Sequence, residues 1–307
     1  MTAHSRQSPP IALGPYRVLE RIGVGGIAAV HRCHRHGASG FTKELAIKTL
    51  LPEHAHDGEL QRRLIAEARL GAAMNHRNLV TIFDLGVDDG RYYVVMELVD
   101  GADLRTLHQG TAIPEALALY VVHEVAAALA YVHAFCGADG HPLGLVHRDV
   151  SPGNVLVSRS GEVKLADFGI TKATNLAEQT QARIIQGKYA YLAPEQLTGK
   201  TVDARTDQFA LGVTLAELTT GVRPFDGANA AQTMDRIRRG AAELEAVATD
   251  LLPIVKRCLA PDPADRFPDM ATLCRALWQP RASRTPADAL TLSAWCVPRC
   301  VSGAVAR

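Results

Sequence analysis

Asp149, Asn154 and Asp167 stand at the ends of short apolar runs. His147-Arg148-Asp149 comes just before Asn154-Val155-Leu156-Val157, and Val163-Lys164-Leu165-Ala166 leads into Asp167-Phe168-Gly169. Carboxylate and amide oxygens are the ligands that hard divalent cations prefer. Two of them suffice for a metal ion bridging phosphate oxygens, which leaves one carboxylate to orient an attacking hydroxyl. If the three converge, the chemistry they support is phosphoryl transfer. An isolated Asp-Phe-Gly or His-Arg-Asp arises often by chance; the two together at this spacing, with strand-like runs between them, do not.

Two further groups have residue types suited to the same chemistry. Lys48 closes the apolar run 45–48, and the helical pattern of 58–74 puts Glu67 on the inward stripe of Leu60, Leu64, Ala68 and Gly71. A carboxylate facing an interior needs an opposite charge, and Lys48 is the obvious partner. The plainer alternatives are a solvated glutamate on an amphipathic helix and a lysine stem that snorkels to the surface. Ile22-Gly23-Val24-Gly25-Gly26-Ile27-Ala28-Ala29-Val30 joins two strand patterns, and its glycines let backbone amides approach phosphates. A tight hairpin explains such a run equally well. A strand rather than a helix follows the glycines, so the dinucleotide fingerprint does not apply.

The elements that must position these residues change character along the chain. Strand patterns occupy 16–22, 29–33, 45–48, 79–83 and 92–98, interrupted by the helix at 58–74. After Gly101 the pattern turns helical: Pro114 opens a long Ala/Leu/Val helix, and 206–219 is apolar almost all round, as a buried central helix is. The expected fold is α+β and bilobal, with a β-rich N-lobe over about 15–97 holding one key helix, a hinge at 96–101, and an α-rich C-lobe over 101–280. Residues 1–14 read as a flexible leader and 281–307, without strong periodicity, as a loosely structured tail. An insertion at 135–143 is expected to form a surface hairpin of unassigned function.

The bulk properties exclude several classes. With 307 residues, 47% hydrophobic and 21% charged, the chain is large enough for two lobes around a substantial interior. Its net charge of +1 makes no electrostatic case for nucleic acid. Cys33, Cys136, Cys258, Cys274, Cys296 and Cys300 are scattered without CxxC spacing, which argues for reduced thiols and a cytoplasmic setting. Residues 1–10 show no apolar signal or anchor segment. The most apolar window, 116–135, contains His123, Glu124 and His133, so no membrane span is expected. His31, Cys33, His34 and His36 crowd one strand end, but a zinc site would need a second ligand pair. Oligomeric state, stimulus and substrate identity are not legible.

Taken together, these motifs resemble the eukaryotic-type (Hanks-type) protein kinases, specifically the bacterial serine/threonine branch, over about residues 16–279. The resemblance implies that Gly23 and Gly25, in the loop opened by Ile22, cover the ATP phosphates. Lys48 holds the α- and β-phosphates and pairs with Glu67, Asp149 is the catalytic base, and Asn154 and Asp167 ligate Mg²⁺. By the same likeness Val30, Ala46 and Leu156 sandwich the adenine, Met96 is the gatekeeper, Glu97 and Leu98 lend hinge backbone groups, and Asp103 touches the ribose. Ala193-Pro194-Glu195 matches the end of the family's activation segment, Arg266 the arginine that pairs with that glutamate, and Asp207 the aspartate that holds the catalytic loop. The activity this resemblance implies is transfer of the ATP γ-phosphoryl group to a Ser/Thr hydroxyl of a protein, with autophosphorylation. Thr180 is the expected site, ahead of Thr171 and Thr174, with Arg148 as a receiver of its phosphate. The loop lacks the Ala-Ala-Arg sequence of tyrosine kinases, which favours Ser/Thr.

The chain departs from the family's pattern at four positions. Ala28 replaces the third loop glycine, a methyl that extended backbone tolerates. Gly71 replaces a bulky residue one turn after Glu67, which leaves a gap between Phe168 and Ile82 or brings the helix closer. Ser151 stands where the family has a lysine, and Lys188 stands where it has a threonine. These two positions read as having exchanged roles, with Lys188 reaching back to Asp149. An exposed lysine in a mobile segment is the alternative. The departures together also allow a catalytically weak ATP-binding scaffold. Enzymes that phosphorylate small molecules generally lack the Ala-Pro-Glu segment.

Overall fold

Strand alternation sorts the residues of 42–50 onto two faces, and each face has its own core. The structure, a computed structural model, describes residues 12–167 and 188–303. The chain divides into two units, Met1–Ala73 with Thr81–Leu98 and Met74–Val80 with Val99–Arg307.

The smaller unit is a six-stranded antiparallel sheet of β1 (Ala12–Leu13), β2 (Tyr16–Val24), β3 (Ala28–His36), β4 (Thr42–Leu50), β5 (Ile82–Asp88) and β6 (Arg91–Met96), in the order β1-β2-β3-β4-β6-β5. Leu45 and Ile47 pack on one face with Tyr16, Cys33, Tyr93 and Val95. On the other face Val94 meets Leu64 and Ala68 of helix α1 (Gly58–Ala73). Lys48 is opposite Val94 in the ladder and therefore faces α1. At Gly71 the Ile82 Cδ1 atom already occupies the place a Cβ would take, so the small residue lets the strand approach the helix.

The larger unit holds a three-stranded antiparallel sheet of β7 (Gly101–Asp103), β8 (Val155–Ser158) and β9 (Val163–Leu165). Its helices are α2 (Leu104–His108), α3 (Glu115–His133), α4 (Pro194–Thr198), α5 (Arg205–Thr220), α6 (Ala230–Arg239), α7 (Leu252–Cys258), α8 (Met270–Ala282) and α9 (Ala289–Gly303). Helix α3 is long and apolar enough to span a membrane, but it is mostly buried as a core helix against α5 and α8. Helix α5 buries every residue from Thr206 to Leu218, as its all-round apolar pattern requires. The 135–143 insertion is a surface hairpin, closed by Leu143 N–H on Phe135 O and Gly137 N–H on His141 O.

Four expectations need correction. Within the expected loose tail, 289–303 is instead a helix: α9 buries Leu292, Cys296 and Cys300, one residue per turn, against α2, β7 and β8. The stripe is hard to read from the sequence because two of its three members are cysteines, which bury like small apolar residues, and because Pro298 interrupts the helix pattern. The 1–14 leader ends inside the sheet, since Gly14 at φ +53° turns the chain so that Leu13 pairs with Tyr16. The strand expected at 79–83 runs Ile82–Asp88 instead. Finally, 74–80 belongs with the larger unit: Val80 N–H donates to Leu165 O, Leu165 N–H to Asn78 O, and the Asn78 amide bridges Val163 O and Glu124.

Candidate active site

In the smaller unit the sequence-expected ion pair forms. Lys48 Nζ lies 2.9 Å from Glu67 Oε1, with the two side chains only 14% and 19% exposed. Val30 pairs with Lys48 and Ala46 with Met96, so Val30, Ala46 and Met96 make an apolar strip on the face that bears the ammonium. Glu97 N–H donates to Thr81 O, and its carboxylate accepts from Thr81 N, which fixes the chain end carrying Glu97 and Leu98. The loop from Ile22 closes through Gly25 N–H on Ala28 O. A Cβ at Gly23 or Gly25 would make only ordinary contacts, so nothing in the loop's own packing demands glycine. Ala28 takes its place in the ladder opposite Leu50 without strain.

In the larger unit the loop 147–154 is held from below by a buried carboxylate. Asp207, fully buried on α5, accepts His147 N–H through Oδ2 and Arg148 N–H through Oδ1, both at 2.8 Å, and His133 Nε2–H donates to Oδ2 at 2.8 Å. Burial alone would raise the Asp207 pKa; the His133 imidazole and the backbone donor of His147 outweigh it and hold the group below the usual carboxylate range. This clamp sustains Arg148 at φ +66°, a left-handed conformation that costs a non-glycine residue on the order of 1 kcal/mol. Gln196 Nε2–H adds a bond to Arg148 O.

Beyond that clamp Asp149, Asn154 and Lys188 gather. Asn154 donates through Nδ2 to Asp149 O at 2.6 Å and to Asp149 Oδ2 at 3.0 Å, which sets its amide orientation and leaves Oδ1 as an acceptor. Lys188 Nζ reaches both, 2.9 Å from Asp149 Oδ2 and 3.0 Å from Asn154 Oδ1. Ala166 N–H donates to Asn154 O and His147 bonds Ala166 O, which anchors the residue just before Asp167 to the same loop. Asp167 itself is exposed, at φ +55°.

Other expected residues divide between site and scaffold. Asp103 caps α2, accepting from Thr106 N and Thr106 Oγ1 at 2.9 and 2.8 Å, so its position has a structural reason independent of any ribose. Leu156, half-buried, lies opposite Asp103 in the ladder. Glu195 and Arg266 pair as expected. Thr171, Thr174, Thr180 and Phe168 lie outside the described residues. The sequence reading missed His133 and Gln196. For His133 the signal was a polar residue on a largely apolar helix, which does not name a partner; Gln196, in the short polar helix Pro194–Thr198, gave none.

The protein kinase domain model matches residues 16–278. The chain belongs to the protein kinase family. It is 36% identical over 274 residues to the tyrosine-protein kinase MasK of Myxococcus xanthus, covering 86% of this chain and 42% of that protein. It is likewise 36% identical over 262 residues to the serine/threonine-protein kinase PknL of Mycobacterium tuberculosis, covering 83% and 62%. Thus the chain spans between 42% and 62% of the length of these curated relatives. The crystal structure of the M. tuberculosis PknI kinase domain superposes with a TM-score of 0.63 at 28% identity, covering 90% of this chain and 99% of that one. The strand-rich smaller unit and helical larger unit are those of the kinase fold, and the family uses ATP and Mg²⁺.

This kinase chain has a donor set that fits Mg²⁺. The cation takes one or two protein oxygens and completes its shell with water and phosphate. Asn154 Oδ1 already attracts one cation, the Lys188 ammonium, and the Asp167 carboxylate follows the residue bonded to Asn154 O. Among the described residues no group of three or more His, Cys, Asp or Glu side chains could hold a metal. His34 and His36 bond Glu44 and Thr42 instead.

Proposed function

We propose that the chain is an ATP- and Mg²⁺-dependent protein kinase that transfers the γ-phosphoryl group to a Ser/Thr hydroxyl of a protein substrate. The observation that carries this reading is the fixed Asp149 carboxylate: Asn154 and Lys188 hold Oδ2, and the loop beneath is clamped by Asp207. Asp149 is the residue that orients the hydroxyl and takes its proton; holding it still removes orientational freedom before the reaction begins. Asn154 Oδ1 and Asp167 are the oxygen ligands for Mg²⁺, which when bound neutralises phosphate charge. Lys48, kept in place by Glu67, supplies a cation for the α- and β-phosphates beside the apolar strip of Val30, Ala46 and Met96. Ile22, Gly23 and Gly25 cover those phosphates, Leu156 completes the adenine sandwich, and the Glu97 and Leu98 backbone takes the adenine edge.

The scaffold reading finds little support, since each group assigned to metal, hydroxyl and phosphate is present and the Lys48–Glu67 pair is formed. We place the chain in the cytoplasm, where its six unpaired cysteines remain reduced, with no nucleic acid or membrane partner. The decisive experiment supplies purified chain with radiolabelled ATP and Mg²⁺ beside an Asp149→Asn control, followed by phosphoamino-acid analysis. Label on serine or threonine that disappears in the control is the expected result. Label on tyrosine would align the chain with MasK, and no label above the control would return it to a scaffold.

A further inference from the structure

Lys188 and Ser151 occupy two positions whose chemistry is reversed relative to the pattern that the rest of the loop follows. We propose that Lys188 is a catalytic residue that contacts the γ-phosphate from beside Asp149, and that Ser151 supplies the uncharged position left behind. The proposal deepens the kinase reading and rests on it.

Charge builds on the oxygens around the transferred phosphoryl group, and a cation aimed at that point is worth most where water is excluded. The loop offers none of its own: 150–156 reads Val-Ser-Pro-Gly-Asn-Val-Leu. Arg105 comes near it, with its guanidinium 3.5 Å from a Cβ built on Gly153, but its carboxylate neighbour is Asp103 and its side chain is 54% exposed. Among the described residues Lys188 brings a cation to Asp149, only 18% exposed and shared between Asp149 Oδ2 and Asn154 Oδ1.

The position of Lys188 is built. It opens a helical turn, 188–191, in which Ala190 is buried and Tyr191 Oη bonds Glu217 Oε2 at 2.5 Å. A surface lysine that merely drifts onto a carboxylate does not begin from such an anchor. Ser151 gives the complementary sign. Its residue is 3% exposed, yet its Oγ has no hydrogen-bond partner among the described residues, an unfavourable state for a buried hydroxyl. A small polar group with unused hydrogen-bonding capacity, two residues after the base, is where a lysine stem would be rooted if Lys188 did not already bring its ammonium to Asp149.

The test moves the charge. Lys188→Met and Lys188→Thr are compared with the double variant Ser151→Lys/Lys188→Thr, in which the shortened side chain at 188 vacates volume for the new stem. Turnover is measured together with calorimetric affinities for Mg²⁺-ADP and a non-hydrolysable Mg²⁺-ATP analogue, and with thermal midpoints. Expected are a loss of turnover of about a hundredfold in each single variant, near-normal ADP affinity, and loss of the preference for the triphosphate. Both turnover and preference should return by at least about tenfold in the double variant. Near-normal turnover in Lys188→Met, or a folded double variant no better than Lys188→Thr, overturns the exchange. So does lost turnover with the triphosphate preference intact, which would make Lys188 a positioning residue for Asp149. If the parent chain shows no turnover, the kinase reading fails, and the binding comparison alone still decides the contact.

Discussion

Arg266 and Glu195 meet in a two-pronged pair, Nη1 to Oε1 at 2.7 Å and Nη2 to Oε2 at 2.9 Å, with side chains 0% and 2% exposed. Nearly every remaining donor is used: Nε bonds Ala260 O, Nη1 also bonds Arg205 O, and Thr206 Oγ1 donates to Glu195 Oε1. The pair ties the end of the 188–195 segment to the chain after α7. Removing one partner strands a charge in the interior, whereas removing both does not. Arg266→Met should therefore cost about 3–5 kcal/mol and lower the melting midpoint by on the order of 10 °C. Glu195→Gln/Arg266→Met should cost less than the sum of the two single changes. Circular-dichroism melts of all three variants provide the comparison, and additive losses would contradict a coupled pair.

Asp207 accepts two successive backbone donors, and an asparagine can accept with only one oxygen. Asp207→Asn should release Arg148 from its left-handed backbone and reduce turnover by on the order of a hundredfold, since a misplacement of about 1 Å costs that much. Nucleotide affinity should change little. A variant with parental rates would show that the clamp is dispensable.

Lys48 and Glu67 are partly exposed, so breaking the pair should affect chemistry far more than stability. Lys48→Met and Glu67→Gln should each lower kcat by at least about tenfold while the melting midpoint shifts by only a few degrees. Rate assays and melts on the same preparations check this; a large drop in midpoint without loss of rate would assign the pair to the fold instead.

Acid should act through Glu124. Burial alone would raise its pKa, but His123, the Arg77 guanidinium and the Asn78 amide bring it down to about 2 from the ordinary 4.5. A depressed folded-state value means that the stabilisation is complete above pH 4.5 and is lost as the pH falls toward 2. Because Arg77 is largely solvated, the contribution is on the order of 1–2 kcal/mol. Urea titrations from about pH 6 down to about pH 3 should show Glu124→Gln with a flatter acid limb than the parent; parallel limbs would remove the group from the account.

Helix α9 should behave as part of the larger unit. Leu292 is fully buried, Ser293 Oγ donates to Arg159 O, and Gly161 has no room for a Cβ beside Ala289 O. Leu292→Ala should cost about 2–4 kcal/mol. Hydrogen exchange across 289–300 that stays as fast in the parent as in an unfolded peptide would refute the docking.

Much of the site was legible because its signals are local. Period-two alternation in 42–50 puts Lys48 on one face with Ala46, and period-3.6 spacing puts Glu67 on the stripe with Leu64, Ala68 and Gly71; the ion pair then needs only that those faces meet. The tail helix was illegible because its stripe is written in Leu292, Cys296 and Cys300, across Pro298.

The amino-acid sequence alone determined which chemistry was available: acids and an amide at fixed spacing, a lysine on a strand, and a loop without a cation after Asp149. Only the tertiary structure turned the expected contacts into geometry, bringing Lys188 to Asp149 across 39 residues and Asp207 to Arg148 across 59, and added the His133 and Gln196 partners that the sequence reading missed. Periodicity specifies faces over a few residues. Which faces touch is set by the simultaneous packing of all elements, so contacts between distant residues exist only once the whole chain has folded.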